Sequence, residues 1–255
     1  MKIQILHRPA HSLAQIRLER DESIVAEAGA MVGMTPNVQI ETKSGGLVAG
    51  LKRVLGGESF FRNTFTSHGG KGELLLGHGL PGDLCVLDVP RDGLVVAAGS
   101  FVASSADVSV ETKVGGLKSM LAGEGMFLLE ARRAVTVTEP VTATATEPAT
   151  ATATVTATVT ASVTATAHML MLGAFGGIEE LACDGALVVD TGHLVAWDTG
   201  IEYVVRKAAR GWLASFASGE GLVCEMRGRG RIWIQSRNPR EYGMQIGRRL
   251  PAKTG

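Results

Sequence analysis

The sequence is poor in aromatic residues and in cysteine, and it carries no excess of either charge. Aromatic residues make up 5% of the 255 residues, so a buried core must consist mainly of Val, Leu, Ile and Ala. The formal net charge is zero, which argues against a dedicated nucleic-acid-binding protein, since such proteins usually carry a clear positive excess. Without a CxxC pair the cysteines indicate neither a disulfide framework nor a zinc ribbon, and we expect small buried hydrophobic residues. The cysteines are Cys85, Cys183 and Cys224.

Long apolar segments are also missing. No run approaches the roughly 18 apolar residues that a membrane-spanning helix requires. The first nine residues lack the apolar core of a signal peptide. We therefore expect a soluble protein located in the cytoplasm.

Glycine and short β-branched runs are what the sequence has in quantity. The 33 glycines suit many tight turns between short strands, and a hydrophobic content of 45% suffices for a sizeable core. Apolar residues alternate with polar ones over short stretches such as residues 38–43, which is typical of strands with one buried face. The sequence therefore predicts an all-β fold.

One ten-residue motif occurs more than once. Residues 108–117 read Val-Ser-Val-Glu-Thr-Lys-Val-Gly-Gly-Leu, and residues 38–47 read Val-Gln-Ile-Glu-Thr-Lys-Ser-Gly-Gly-Leu. A third, less similar copy begins at Ile201. We therefore predict a threefold internal repeat within one domain over residues 1–250. The predicted repeats span about 1–80, 81–181 and 182–250.

A short amphipathic helix is predicted directly after the first motif and a shorter version of it after the second, and a Gly-flanked apolar segment follows the third copy. In the first copy, apolar residues between 47 and 55 recur at spacings of three and four, with glycines at both ends. In a threefold arrangement these segments should emerge from the same side. They could cap the β core, seal a subunit interface, or touch a membrane or a partner. The interface candidates are Leu47, Leu51, Leu55, Leu117, Leu121, Trp212 and Phe216.

A Thr/Ala-rich tract of low complexity, residues 133–168, interrupts the second predicted repeat. It makes this repeat about 30 residues longer than the first. It lies where a hairpin tip is expected, and extra residues there add little to the free-energy cost of closing the loop. Its alternating pattern could support an extended hairpin, and a glycosylated stalk is a third interpretation. Because Ala and Thr bury little apolar area, we expect a weakly ordered excursion.

These motifs resemble those of a known family. The recurrent Glu-Thr-Lys-x-Gly-Gly-Leu motif, the Gly-Glu-Gly turn and the final stretch, residues 221–239, are similar to the AIM24 family of TRAP-like proteins. TRAP here is the tryptophan RNA-binding attenuation protein. The resemblance covers nearly the whole chain except the Thr-rich tract. It implies three β-helical, jelly-roll-like repeats about a pseudo-threefold axis, often in a homotrimer. Bacterial members have no established biochemical activity, and mitochondrial relatives are linked to inner-membrane organisation.

Motifs that carry catalytic chemistry are missing from the sequence. The six histidines show no HxH or HxxxH spacing on a shared predicted element, as cupin-type enzymes need in order to hold iron or manganese. Neither a Gly-x-Ser-x-Gly elbow nor a P-loop occurs. The resemblance supplies no catalytic residue either. We therefore expect a protein that is not an enzyme and that has no cofactor.

Three glutamates recur at equivalent positions, each beside glycine. Carboxylates near a pseudo-threefold axis could hold calcium or magnesium, because they would otherwise repel one another. The alternative, which we favour, is an exposed turn residue or a partner of the repeated lysines. The glutamates are Glu58, Glu124 and Glu220, and the lysines are Lys43, Lys113 and Lys207.

The C-terminal section is locally basic. Arg227, Arg229 and Arg231 alternate, so they should lie on one side of a strand together with Trp233. Basic residues beside an aromatic ring can bind single-stranded nucleic acid. The alternative, again favoured, is a solvated strand face or a subunit contact.

The preferred function is a non-enzymatic scaffold or adaptor that forms a homo-oligomer, a trimer by the resemblance. It would present a repeated surface to an unknown protein partner, with peripheral membrane contact as a further use and nucleic acid not expected. The alternatives are a binding module for RNA or a small ligand, and a metal-dependent enzyme on a jelly-roll frame.

Overall fold

A computed structural model describes residues 1–43, 62–113, 127–134, 161–164, 167–207 and 222–250. Strands dominate these residues, and they form three sheets whose strand pairs are antiparallel. The prediction of an all-β fold is confirmed. The helix α1, Pro239–Gly247, lies at the C-terminal end of the described chain.

The strand bounds follow the short alternating runs of the sequence. The first nine strands are β1 (Lys2–Leu6), β2 (Leu13–Leu18), β3 (Ser23–Glu27), β4 (Met31–Met34), β5 (Val38–Lys43), β6 (Arg62–Ser67), β7 (Gly72–Gly77), β8 (Leu84–Asp88) and β9 (Leu94–Ala97). The remaining strands are β10 (Phe101–Ser105), β11 (Val108–Thr112), β12 (Leu128–Arg133), β13 (Ala161–Thr164), β14 (Met169–Gly173), β15 (Ile178–Asp190), β16 (Leu194–Asp198), β17 (Glu202–Lys207) and β18 (Leu222–Gln235).

The first sheet has the strand order β13-β1-β2-β7-β4, and the second has the order β5-β6-β3-β10-β14-β8. The third has the order β11-β12-β9-β16-β18-β15, with β17 added beside β18. Several strand pairs join elements that are distant in sequence, and two of them have similar positions in their sheets: β3 pairs with β10, and β9 pairs with β16.

Alternation along the strands buries one face of each sheet. In β7, for example, Leu74 and Leu76 are fully buried while the residues between them are partly exposed. The buried side chains form three hydrophobic clusters, centred on residues such as Ile16, Phe101 and Trp197. The core therefore has three parts, each built from strands of more than one region of the chain.

Three strands begin after a tight turn and carry a register shift near their start. The shift falls between Met31 and Gly33 in β4, between Phe101 and Ala103 in β10, and between Leu194 and Ala196 in β16. The turns before β10 and β16 are single 3-10 turns, Ala98–Ser100 and Thr191–His193. The turn before β4 instead uses Gly29 with φ of 95°.

The long strands β15 and β18 form a continuous two-stranded ribbon at the end of the third sheet. They pair from Ile178–Gln235 to Asp190–Val223 without a shift. Gly185 and Gly228 lie opposite each other in the middle, with φ of 115° and 128°. Only glycine adopts these angles readily, so the ribbon can bend there. Strand β16 pairs with the second half of β18 and β17 with the first half.

Part of the Thr/Ala-rich tract is ordered into a strand. Residues 161–164 form β13, which pairs with β1 in a register that places Val163 opposite Ile3. For these four residues the expectation of a weakly ordered excursion is wrong, because the free edge of β1 offers backbone hydrogen bonds that do not depend on side-chain burial.

The helices predicted after the first two motifs lie outside the described residues. Sequence analysis missed α1, although Asn238 followed by Pro239 is a recognisable helix start: the Asn238 side chain accepts a hydrogen bond from the Arg240 backbone at 3.0 Å. Within the part of the chain that the structure describes, no helix has the length and apolar character needed to cross a membrane.

Candidate functional site

Two of the predicted residue sets cannot be placed in space. The interface candidates and the metal candidates lie outside the described residues. Their roles stay predictions. Among the residues that the structure does describe, no group of three or more His, Cys, Asp or Glu side chains is arranged to hold a metal ion. The sets are Leu47, Leu51, Leu55, Leu117, Leu121, Trp212 and Phe216, and Glu58, Glu124 and Glu220.

We call Arg227, Arg229 and Arg231 on β18 the basic stripe. The first two of these arginines are paired with carboxylates. Arg227 donates from Nε to Glu225 at 2.9 Å, and Arg229 donates from Nε to Asp184 on the neighbouring strand at 2.8 Å. Hydrogen bonds from Arg227 and then from Arg206 lower the pKa of Glu225. All of these groups are at the surface, so each pair contributes little to stability.

Arg231 makes more hydrogen bonds to its carboxylate partner than Arg227 and Arg229 make to theirs. Its backbone N–H and its guanidinium both donate to Asp198, at 2.8 Å from the backbone and at 3.0 and 3.2 Å from the side chain. The hydrogen bond to Asp198 raises the pKa of Arg231. The guanidinium carbon lies 4.8 Å from the ring centroid of Trp233, so both residues share one face as predicted.

The ring of Trp233 is not an open stacking platform. Trp233 is buried in the second hydrophobic cluster, and the Arg231 guanidinium lies over its ring. Single-stranded nucleic acid would have to displace three carboxylates and this stacked arginine. RNA binding at this stripe stays a prediction, and the geometry does not favour it.

A buried carboxylate, which sequence analysis missed, joins the loop between β1 and β2 to the loop before β8. Asp83 accepts two hydrogen bonds from Arg8, at 2.8 and 2.7 Å, and one from the Ser12 hydroxyl at 2.8 Å. The Leu84 backbone N–H caps the same carboxylate at 2.8 Å. Every partner donates a hydrogen bond to the carboxylate, and Asp83 is almost fully buried. We therefore interpret Asp83 as a structural residue that links two loops and not as a catalytic acid or base.

Ser105, Asp107 and His168 form a second polar cluster, but they do not form a nucleophilic relay. The Ser105 hydroxyl donates to Asp107 and not to His168, whose Nδ1 lies 3.0 Å from Asp107. Burial alone would raise the pKa of Asp107, but the hydrogen bonds from Ser105 and from the His168 backbone lower it. In a Ser-His-Asp triad the serine hydroxyl donates to the imidazole, which acts as its base. Ser105 lacks this contact with His168, so we interpret the cluster as one that stabilises a turn.

The thiols of Cys85 and Cys224 should resist alkylation in the folded protein. Burial raises the pKa of both to about 12, against about 8.5 for an exposed thiol. We expect the native protein at pH 8 to react with iodoacetamide at these two positions about a thousandfold more slowly than the urea-unfolded chain, since the thiolate is the nucleophile. Peptide mass spectrometry gives the rates. Cys224 is fully buried whereas Cys85 is partly exposed, so equal labelling of native and unfolded protein at Cys224 would contradict its burial.

The edge of the first sheet, formed by β4, is unusually apolar. Its sequence is Met-Val-Gly-Met, and Met31, Val32 and Met34 are exposed by 38%, 61% and 39%. Strand β4 pairs with β7 on one side and has no partner among the described strands on the other. We call Met31–Met34 the β4 edge. Free edges normally carry a proline or charged residues such as Lys, which prevent pairing with another strand, and this edge has none.

A second apolar edge lies at the end of the third sheet. Residues 187–190, the end of β15, read Leu-Val-Val-Asp and pair only with β18 among the described strands. Val188 is exposed by 50%. We call residues 187–190 the β15 edge. Both edges present exposed apolar side chains on a strand that has no partner on one side among the described strands, so both are candidate interaction surfaces.

Comparisons with known proteins agree with this architecture. An uncharacterized protein of Streptococcus pyogenes serotype M6 is 28% identical to this chain over 253 residues, covering 95% of this chain and 88% of that protein. A crystal structure of a Streptococcus pyogenes protein is similar with a TM-score of 0.70 at 25% identity, covering 98% of this chain and 100% of that one. Residues 3–237 match the family described as Mitochondrial biogenesis AIM24. Since that match extends from β1 to beyond β18, the chain belongs to the AIM24 family.

Proposed function

We propose that this chain is a non-enzymatic scaffold or adaptor that works as a homo-oligomer, with three copies as the preferred assembly. The observation that carries the proposal is the apolar β4 edge, where three of four residues are large, hydrophobic and exposed. A strand edge of this kind is a template for pairing with another chain. The proposal includes a cytoplasmic location, an unidentified protein partner and peripheral membrane contact as a further use of the surface.

The proposal also includes three TRAP-like repeats, and the strand pairings support it. In each third of the chain one strand pairs with two neighbours: β6 with β3 and β5, β12 with β9 and β11, and the first half of β18 with β15 and β17. A second strand in each third does the same: β7 with β2 and β4, β14 with β8 and β10, and the second half of β18 with β15 and β16.

The turns that precede β2, β8 and β15, one strand in each third of the chain, also meet in space. The Ser12 backbone N–H donates to the Gly82 carbonyl at 2.9 Å, and the Asp83 N–H donates to the Gly176 carbonyl at 2.8 Å. These residues stand just before or at the start of β2, β8 and β15. Such a meeting point is what a pseudo-threefold axis requires, and it supports an arrangement of the repeats around one centre.

Burial distinguishes the first proposed repeat from the other two. The residues of β4 correspond to those of β10 and β16 when the three strands are aligned on their register shifts. In β10 and β16 the counterparts are buried, because β3 and β9 cover them. The exposed residues are Met31, Val32 and Met34, and their buried counterparts are Phe101, Val102 and Ser104, then Leu194, Val195 and Trp197.

Light scattering after size exclusion tests the assembly. We expect a mass of three times the 26.7 kDa of one chain at micromolar concentration, because the β4 edge should be covered in the native state. The same sample in concentrated urea is the control and should give the mass of one chain. A single-chain mass over the whole concentration range would contradict the proposal, whereas another copy number would correct only the stoichiometry.

A further inference from the structure

We propose that α1 and the turn that ends it form a docking surface for membranes that contain anionic lipids. This inference rests on the proposed function, because it assigns the peripheral membrane contact named there to one site. The site consists of exposed apolar side chains and arginines within residues 237–250. Helix α1 begins at Pro239, after the last residue that matches the family, so the surface lies beyond the part of the chain that the family model covers.

Contacts at the beginning of α1 hold the helix on the protein. The Asn238 side chain, which caps the first turn, also donates to Asp190 at 3.3 Å. The Tyr242 ring packs against Phe175, with 4.9 Å between the ring centroids. A helix of nine residues is marginal by itself, so these contacts stabilise it. Every residue of α1 remains at least partly exposed, so most of the helix surface is open to solvent.

Exposed apolar side chains follow one side of α1. Ile246 lies four residues after Tyr242, and Leu250 lies four residues further on, in the turn that ends the helix. Residues at this spacing are neighbours on a helix surface. Tyr242, Ile246 and Leu250 are exposed by 46%, 41% and 63%, while Met244, exposed by 47%, lies on another side. We call Tyr242, Ile246 and Leu250 the α1 row, and its exposed apolar area favours an apolar partner.

The segment that carries the α1 row is strongly basic. Residues 237–250 contain four arginines and one carboxylate, although the whole chain has a formal net charge of zero. The excess of positive charge is therefore local, and it complements an anionic partner at this place. The arginines are Arg237, Arg240, Arg248 and Arg249, and the carboxylate is Glu241.

Two of these arginines differ from those of the basic stripe. Each arginine of the stripe forms an ion pair with a carboxylate. Within the part of the chain that the structure describes, Arg248 and Arg249 form no ion pair. Both are exposed and directly precede Leu250. Their charges are therefore available to a partner that also contacts the α1 row.

An anionic lipid bilayer matches both kinds of side chain. Aliphatic groups such as Ile246 and Leu250 gain by leaving water for the acyl region, while arginine side chains reach the headgroup phosphates. Each arginine near an anionic bilayer strengthens binding about fivefold. Single-stranded nucleic acid would use the arginines but not the aliphatic side chains, because bases stack on aromatic rings. The combination therefore favours a lipid surface.

Co-sedimentation of the full chain with lipid vesicles tests the docking surface. We expect wild type to bind vesicles of equal parts phosphatidylcholine and phosphatidylglycerol at least about tenfold more tightly than vesicles of phosphatidylcholine alone. Added salt should weaken the binding, because it screens the attraction between the arginines and the lipid headgroups. Wild-type protein that does not bind the phosphatidylglycerol vesicles would overturn the inference.

Reversing two charges tests the arginines. We expect the double variant Arg248→Glu and Arg249→Glu to bind the phosphatidylglycerol vesicles at least about twentyfold more weakly than wild type. The matched control is the double variant Arg20→Glu and Arg91→Glu, which changes the net charge equally at two exposed positions after β2 and β8. It should bind within about twofold of wild type. An equal loss in both double variants would assign binding to the overall charge and reject α1 as the site.

A polar substitution tests the apolar contact with the lipid. We expect Leu250→Gln to weaken vesicle binding at least about fivefold, since it removes apolar area that the bilayer would bury. Val204→Gln is the matched control, because Val204 is exposed by 62% against 63% for Leu250, and it should bind like wild type. If Leu250→Gln also bound like wild type, the arginines would be a site for polyanions such as an acidic protein, and the lipid assignment would be wrong. Far-ultraviolet circular dichroism shows that each variant is folded.

Light scattering without lipid separates this inference from the proposed oligomer. A wild-type monomer that binds the vesicles would reject the oligomer and support the docking surface. A wild-type oligomer that does not bind them would reject the docking surface alone. Vesicle binding that persists in the α1 variants would leave the membrane contact of the proposed function in place and reject its assignment to α1.

Discussion

Replacing Arg8 with alanine is expected to lower the free energy of unfolding by about 2–3 kcal/mol, because it leaves the carboxylate of Asp83 buried without its cation. Asp83 is almost fully buried, and Arg8 reaches it with two hydrogen bonds of 2.8 and 2.7 Å. Since Arg8 is itself about one third exposed, solvent compensates part of the loss, and we place the effect below that of a fully buried pair.

Urea denaturation monitored by circular dichroism measures this effect, and in a chain of this size it corresponds to a fall of Tm by about 5–10 °C. Arg20→Ala is the matched control. Arg20 faces Asp21 at 3.7 Å with both side chains largely exposed, and we expect a change below about 0.5 kcal/mol. If the two alanine variants were equally stable, the joint at Asp83 would contribute nothing to the fold.

Replacing Gly82 with alanine is expected to cost about 3 kcal/mol or more, because the new methyl group would collide with backbone and not with a movable side chain. A Cβ at Gly82 would lie 2.0 Å from the Ala174 carbonyl oxygen and 2.6 Å from the Gly176 nitrogen. Gly82 and Gly176 also form an isolated β-bridge, so the two backbones cannot separate without losing the contact between these loops.

Gly79→Ala, three residues earlier in the same loop, separates this clash from the general effect of removing a glycine. A Cβ at Gly79 would meet nothing within 4 Å, and its backbone does not require a positive φ. We expect Gly79→Ala to change the stability by less than about 1 kcal/mol in either direction. Thermal unfolding of both variants checks the difference, and a fully stable Gly82→Ala variant would show that the loops do not pack this closely.

Local patterns in the sequence were sufficient to place most strands. The copies of the Glu-Thr-Lys motif become β5 and β11, and the less similar third copy becomes β17. Alternation of apolar residues is a property of a few neighbouring positions, and burial of one face follows from it directly. The same holds for Trp233, whose position beside Arg231 on one strand face follows from their spacing by two residues.

Contacts between distant segments were beyond this kind of inference. Arg8 and Asp83 lie 75 residues apart, and nothing near either residue in the sequence indicates the other. Likewise β4 and β10 follow similar tight turns and have similar hydrophobicity, yet only β10 has a strand on both sides. Which edge of a sheet stays open depends on the order in which the sheets connect, and that order is a property of the whole chain.

The ribbon of β15 and β18 has a consequence for how the C-terminal part of the chain opens. In the first two thirds of the chain the corresponding pairings are made by separate strands, such as β6 and β7 in the first third and β12 and β14 in the second. Here β15 and β18 pair without interruption from end to end, with Gly185 opposite Gly228 in the middle. The two halves of the ribbon therefore belong to a single cooperative unit of local unfolding, in which exchange of amide hydrogens at one end is coupled to exchange at the other.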